Sequence, residues 1–154
     1  MSVYVDANLL IRLYLDFDGS GEAYQWVTRP DIKAVMPIAV TDLLRQEVTN
    51  GFQRMVFESR TGGQWRVTQE HAYAAKSSFE ADLDAGCFLK RTSLTPINID
   101  AQFDSLVGRH TAKHGFRTYD IMHVASALHL GCTRFLSFDA KAIALAKLEG
   151  LLTN

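Results

Sequence analysis

The sequence predicts an α/β fold in which a central, mainly parallel β-sheet is flanked by α-helices in three layers. Short β-branched and aromatic segments, such as residues 2–6 and 134–138, alternate with longer segments of helical periodicity. In the longest of these, residues 41–60, apolar side chains recur every four positions. No linker, repeat or low-complexity tract divides the 154 residues, so we expect a single domain, residues 1–154.

The elements follow one another with recognisable boundaries. We expect strands at residues 2–6, 34–37, 87–90 and 134–138. We expect helices at residues 9–17, 22–28, 41–60, 68–83, 100–114, 118–130 and 140–148. Asn8, Thr68 and Asp100 are the polar residues that we expect to cap helices, because their side chains can accept hydrogen bonds from free backbone N–H groups. Gly115 and Gly131 are placed to end helices.

Composition and charge exclude several classes of protein. Hydrophobic residues make up 47% of the chain and charged residues 21%, which argues against disorder. The net charge of -1 is not that of a strongly basic nucleic-acid-binding protein. A nucleic-acid partner would therefore have to be bound through a local basic patch or through a metal ion.

The cysteines and the N-terminal segment indicate a cytoplasmic protein. Cys87 and Cys132 are far apart and neither has a second cysteine nearby, so we predict neither a disulfide framework nor a zinc site. Residues 3–15 are apolar but include Asp6 and Arg12, without a basic lead or a cleavage site. We therefore expect neither a signal peptide nor a membrane span.

Acidic residues occupy the positions where a parallel sheet usually binds its ligands. Asp6 and Asp139 lie where a predicted strand gives way to a helix, and ligand sites gather at the carboxyl ends of parallel strands. Asp120 lies at the start of an apolar helix. In the helix at residues 41–60, the position of Glu47 relative to Leu44 and Val48 predicts that it faces away from the core. Four clustered carboxylates repel one another unless they bind a hard cation such as Mg²⁺ or Mn²⁺.

Each acid also has an ordinary structural explanation. An aspartate at a helix start usually caps the helix, which would account for Asp139 on its own. A glutamate such as Glu47 is usually a solvated helix residue. Position and spacing alone therefore leave both explanations open.

Taken together, four segments resemble the PIN-domain ribonuclease family, and in particular its VapC-type toxins. Residues 5–10 (VDANLL) resemble the family's strand that ends in Asp-x-Asn, and residues 47–50 (EVTN) resemble its helical acidic motif. The closest similarity is residues 117–128 (RTYDIMHVASAL), followed at the usual distance by residues 135–139 (FLSFD). Position 137 is often threonine in the family, and Ser137 keeps the hydroxyl group.

The resemblance implies a PIN-like fold and a Mg²⁺- or Mn²⁺-dependent endoribonuclease that cleaves structured RNA, commonly transfer RNA or ribosomal RNA. It implies that Asn8 and Ser137 orient the acids or a water molecule. The catalytic, metal-binding acids that it implies are Asp6, Glu47, Asp120 and Asp139. It also implies the toxin of a type II toxin–antitoxin pair, with a cognate antitoxin protein and a homodimer.

Basic and histidine residues near Asp120 have more than one interpretation. Arg109, Lys113 and Arg117 could form a patch that binds RNA phosphates, although charged helix faces are usually just solvated. His110 and His114 have a spacing that can bind a transition metal, but no third ligand accompanies them. His123 could point toward the acids or be an ordinary buried histidine.

Two other functions compete with the ribonuclease. One is a module that binds RNA or a protein partner with little turnover, which metal-independent binding without cleavage would indicate. The other is a metal-dependent nuclease or phosphatase acting on DNA or a flap structure. The near-neutral charge and the absence of additional domains make DNA processing the less attractive alternative.

Overall fold

The computed structural model describes residues 2–17 and 19–154. The strands of this described part are β1 (Val3–Val5), β2 (Ile38–Thr41), β3 (Leu89–Thr92), β4 (Arg134–Leu136) and β5 (Leu152–Thr153). The strands β1, β4 and β5 are hydrogen-bonded in the order β1-β4-β5, and β2 pairs with β3 beside β1. All of these pairings are parallel, which confirms the predicted fold class.

Helices connect the strands and flank the sheet. They are α1 (Ala7–Tyr14), α2 (Ser20–Thr28), α3 (Pro30–Lys33), α4 (Asp42–Arg60), α5 (Gln69–Ala85), α6 (Pro96–Leu106), α7 (Ala112–His114), α8 (Thr118–His129) and α9 (Ala140–Leu148). A π-helical turn, Val107–Thr111, joins α6 to α7. None of the helices in the described part is long and apolar enough to cross a membrane.

The long helix α4 forms as its sequence predicts. The hydroxyl group of Thr41 accepts a hydrogen bond from the backbone N–H of Leu44 at 3.2 Å, which caps the helix. One face of the helix is buried, and its buried residues are Leu44, Val48, Phe52 and Val56. Glu47 lies beside this buried face and is itself half-buried, so the prediction that it faces away from the core is only partly met.

The centre of the sheet fixes the positions from which the polar residues emerge. Tyr4 in β1 lies opposite Phe135 in β4, and their parallel rings stack at 5.8 Å in the core. Directly after β1, the backbone N–H of Asp6 donates to the carbonyl oxygen of Leu136 at 3.0 Å. The carboxyl ends of β1 and β4 are therefore held side by side.

Two strand predictions need correction, and one strand was not predicted. The strand expected at residues 34–37 is wrong, because α3 ends only at Lys33 and pairing starts after Pro37, which has no N–H to donate. The third strand begins at Leu89, two residues later than expected. The two-residue strand β5 was not predicted, since so short a segment has no readable periodicity.

Two of the expected helix caps are also wrong. Asp6, not Asn8, is the cap of α1, because its carboxylate accepts from the backbone N–H of Ala7 at 2.6 Å. Asp100 lies inside α6, which starts earlier because Pro96 favours the first helical position. The predicted cap Thr68 is used, and the helices at 118–130 and 140–148 lie where they were expected.

Candidate active site and metal centre

The four predicted acids line one pocket of about 400 Å³ at the carboxyl ends of β1 and β4. Asp6 comes from the end of β1, Glu47 from α4, Asp120 from the first turn of α8, and Asp139 from the start of α9. Residues distant in the sequence thus converge on one open space. Such a concentration of carboxylates is unfavourable unless cations balance it.

Asp6 is the most firmly held of these acids. It is buried, and hydrogen bonds fix both of its carboxylate oxygens. Oδ1 accepts from the backbone of Ala7 at 2.6 Å, while Oδ2 accepts from the side chains of Asn8 and Ser137, each at 2.8 Å. These donors hold the carboxylate in one orientation.

Asn8 and Ser137 connect the ends of the two strands. The side-chain oxygen of Asn8 accepts from the backbone N–H of Phe138 at 2.8 Å. The Ser137 hydroxyl oxygen accepts from the backbone N–H of Asp139 at 2.9 Å, while it donates to Asp6. One small network therefore sets the positions of both Asp6 and Asp139, which is the kind of support that the sequence predicted for Asn8 and Ser137.

His123 lies at the base of the pocket between two acids. The ring is almost fully buried, with its Nε2 hydrogen-bonded to Glu47 and 3.5 Å from Oδ1 of Asp6. On its other side, Nδ1 lies 2.9 Å from the hydroxyl group of Tyr4. Burial by itself lowers the pKa of His123, but Tyr4 and the two carboxylates more than offset this and raise the pKa well above its ordinary value.

Asp6, Glu47 and His123 together form a candidate metal centre. Each offers one ligand atom, and these atoms lie within 4.8 Å of one another. Two carboxylate oxygens and an imidazole nitrogen are a donor set that fits a divalent cation. The group includes two of the four predicted acids and a histidine for which the sequence left two interpretations open.

Asp120 and Asp139 are connected by Arg117. The Arg117 guanidinium lies 3.1 Å from both oxygens of Asp120 and 2.6 Å from Oδ2 of Asp139. These contacts, first with Asp120 and then with Asp139, raise the pKa of Arg117. Burial opposes ionisation of Asp139, but backbone donors of Lys141 and Ala142, together with Arg117, hold its pKa below the ordinary value.

Asp6 and Asp139 also cap helices, so the ordinary explanation and the site explanation are compatible. Oδ1 of Asp139 accepts from the backbone of Lys141 at 2.8 Å, while its Oδ2 faces Arg117. Asp120 similarly accepts from the backbone N–H of Arg117 at 3.1 Å. The capping role of Asp139 therefore leaves its second oxygen free to face Arg117 in the pocket.

Sequence reasoning overlooked Tyr4. It precedes Asp6 by two positions in β1, and residues two apart in a strand share a face of the sheet. That spacing is the signal that could have placed Tyr4 behind the acids. Arg54 and Tyr119, which also line the pocket, carry no comparable signal in the sequence.

Only part of the predicted basic patch borders the pocket. Arg117 lines it, whereas Arg109 and Lys113 do not. Arg109 makes two hydrogen bonds to Glu149, at 2.7 and 2.9 Å. His110 also contacts Glu149, at 2.5 Å, so its ring nitrogen is bound to a carboxylate.

Comparisons with known proteins agree with this arrangement. The structure is similar to that of VapC20 from Mycobacterium tuberculosis, a sarcin-ricin loop cleaving toxin, with a TM-score of 0.59. The two chains are 18% identical, and the similarity covers 93% of this chain and 94% of that one, which shows a shared fold. No curated protein matches the chain. The PIN domain family matches residues 3–148, and the chain therefore belongs to the PIN domain family.

Proposed function

We propose that the protein is a metal-dependent endoribonuclease and the toxin of a type II toxin–antitoxin pair. The observation that carries the proposal is the convergence of Asp6, Glu47, Asp120 and Asp139 on one pocket of a PIN domain. The pocket holds more carboxylates than cationic side chains. A phosphodiester, itself anionic, could enter such a place only with a metal ion to offset the repulsion.

In this proposal each group of side chains has a separate role. Asp6, Glu47, Asp120 and Asp139 would supply the carboxylate oxygens that hold a Mg²⁺ or Mn²⁺ ion, and His123 would orient the Glu47 carboxylate through the hydrogen bond of its Nε2. The bound ion would lower the pKa of a water molecule and offset the negative charge that grows on the phosphate. Asn8 and Ser137 keep the Asp6 carboxylate oriented, and Tyr4 fixes the ring of His123.

Structured RNA, such as transfer RNA or ribosomal RNA, is the substrate class that we propose. The fold shared with VapC20, which cleaves the sarcin-ricin loop, supports RNA in preference to DNA. Charged and polar side chains make up most of the pocket lining, consistent with a site that acts on a phosphodiester. Hydrolysis by an activated water would leave a 5′-phosphate and a 3′-hydroxyl.

A cognate antitoxin, a homodimer and a cytoplasmic location complete the proposal. An antitoxin that brought an arginine or lysine into the acidic pocket would supply the positive charge that the acids lack. The rival in which the acids persist without turnover predicts RNA binding that does not depend on metal and is never followed by cleavage.

The decisive experiment is the cleavage of total cellular RNA by the purified protein with Mg²⁺, with Mn²⁺ and with EDTA. We expect discrete fragments with either metal and none with EDTA. Loss of a group that only orients a metal ligand costs about 10–100-fold. Asp120→Asn and Glu47→Gln remove proposed ligands themselves, so each should lower the cleavage rate by more than that. Both replacements keep the shape of the side chain, so each variant should remain folded, which circular dichroism checks.

Glu58→Gln is the matched control for Glu47→Gln. Glu58 lies on the same helix, pairs with Arg54 at 3.1 Å and does not line the pocket. Its variant should cleave RNA at the wild-type rate. Equal rates for wild type, Glu47→Gln and Asp120→Asn would refute the proposed nuclease, and metal-independent RNA binding would then favour the binding module.

A further inference from the structure

We propose that a groove beside the pocket binds the phosphate backbone of the RNA strand as it leaves the cleaved bond. This inference rests on the proposed function and adds a substrate-binding surface to it. The groove, of about 550 Å³, lies between α9 and the segment that joins α7 to α8. We call it the α9 groove and define it by His114, Phe116, Lys141, Lys147 and Leu148.

The charge of the α9 groove is that of an anion-binding surface. His114, Lys141 and Lys147 line it, and no acidic residue does. In the described part of the chain, Lys141 and Lys147 form no salt bridge with a carboxylate. By contrast, carboxylates neutralise Arg109 and Arg117 of the predicted patch. The whole chain has a net charge of -1, so it does not attract phosphates through its overall charge. Lysines without a carboxylate partner in one groove attract phosphates locally.

The groove and the acidic pocket are lined by neighbouring residues at the start of α9. Asp139 lines the pocket, and the next two residues, Ala140 and Lys141, line the groove. The Lys141 ammonium also donates to the carbonyl oxygen of Gly115 at 3.2 Å, so it lies beside the segment that carries Arg117. A strand that passes Asp139 therefore meets Lys141 without crossing another element.

The floor of the groove suits a nucleic acid chain in shape as well as charge. Phe116 forms a buried base, and Leu148 is an apolar side chain that is half exposed on the rim. Sugar faces can rest on such apolar surface while the lysines contact phosphate oxygens. A second copy of the chain is less well suited, because it would have to supply acids to offset the buried lysine charge.

The test compares two double variants that remove the same charge. Lys141→Ala/Lys147→Ala changes the α9 groove, whereas Lys76→Ala/Lys90→Ala removes two exposed lysines that line neither the groove nor the pocket. Affinity for a short, fluorescently labelled single-stranded RNA is measured in EDTA over a range of salt concentrations. Because EDTA prevents metal-dependent hydrolysis, binding is measured whether or not the acids are catalytic.

We expect the groove variant to bind about 25-fold more weakly near 0.1 M salt, with a salt slope smaller by about 1.4, since two phosphate contacts are lost. Lys147→Ala alone should bind about fivefold more weakly, and the control variant should bind within about twofold of wild type. Equal affinities for the groove and control variants would overturn the inference. A groove variant that loses self-association in sedimentation but keeps its RNA affinity would assign the groove to a second copy. Failure of the proposed function would instead appear as a lack of metal-dependent cleavage, whatever the binding result.

Discussion

Two groups of carboxylates in this protein have opposite charge balances. At one end of α9, Glu149 accepts two hydrogen bonds from Arg109, at 2.7 and 2.9 Å, and contacts the ring nitrogen of His110 at 2.5 Å. At the other end of α9, Asp139 is one of four acids around a pocket in which Arg117 is shared between two of them. Side chains of this protein balance the charge of Glu149, whereas the acids around the pocket outnumber its cationic side chains.

The difference separates a structural role from a functional one. Burial raises the pKa of Glu149, but its contacts with His110 and Arg109 more than offset this and lower the pKa. Side chains of the same chain therefore stabilise the charge of Glu149. In the pocket, the neutral donors Asn8 and Ser137 orient Asp6 without cancelling its charge, and Asp120 and Asp139 share Arg117. A cation from outside the chain is therefore what the pocket requires.

The largest effect among the variants that test this comparison is expected for Tyr4→Phe. The change removes the hydroxyl group that contacts Nδ1 of His123, so the ring loses the contact that holds Nε2 toward Glu47. Affinity for Mn²⁺, measured by calorimetric titration, should fall by about 10–100-fold.

Tyr14→Phe is the control for this variant. Tyr14 also donates its hydroxyl group to an acid, Asp82 at 2.5 Å, but it lines a different cavity. Equal Mn²⁺ affinities for the two variants would show that His123 does not position the metal ligands.

A smaller effect, of opposite sign, is expected for Arg117→Gln. The Arg117 guanidinium occupies the space between Asp120 and Asp139, so its positive charge opposes a metal cation there. Mn²⁺ should bind the variant about three- to tenfold more tightly, equivalent to about 1 kcal/mol, the size of an exposed ion pair. Arg109→Gln should leave the affinity unchanged, and tighter binding in both variants would mean that only overall charge matters.

The smallest effect is expected at Glu149. Glu149→Gln should lower the free energy of unfolding at neutral pH by about 1 kcal/mol, because the charge-assisted bonds are lost but remain partly screened by solvent. The folded-state pKa of Glu149 is lowered from 4.5, so its contribution is present above that pH and is lost as the pH falls through the folded pKa.

Urea unfolding of wild type and variant across this range provides the measurement. The difference in unfolding free energy should disappear at acidic pH, and RNA cleavage at neutral pH should equal that of wild type. A constant difference at every pH would contradict the charge-based explanation.

The sequence was informative wherever periodicity and chain order determine structure. The apolar stripe of α4 and the placement of Asp6 and Asp139 directly after strands were sufficient to predict the fold class and the edge of the sheet where the acids gather. The family resemblance added Glu47 and Asp120, whose positions alone also fitted solvated or capping roles.

Side-chain pairing across long sequence separations was not predictable. Arg117 and Asp139 are 22 residues apart, and Arg109 and Glu149 are 40 apart, so no local pattern links them. The start of β2 was also missed, because residues 34–37 are as apolar as a strand although pairing begins only after Pro37.

The two-residue strand β5 has a consequence for where the chain can be cut. The PIN family match stops at Leu148, yet the backbone N–H of Leu152 donates to Thr133, and the side chain of Asn154 accepts from the backbone N–H of Ser137 at 3.0 Å. A recombinant fragment trimmed to the family boundary would uncover the outer edge of β4, and such unpaired edges promote aggregation. Expression designs and C-terminal affinity tags should therefore leave residues 149–154 intact.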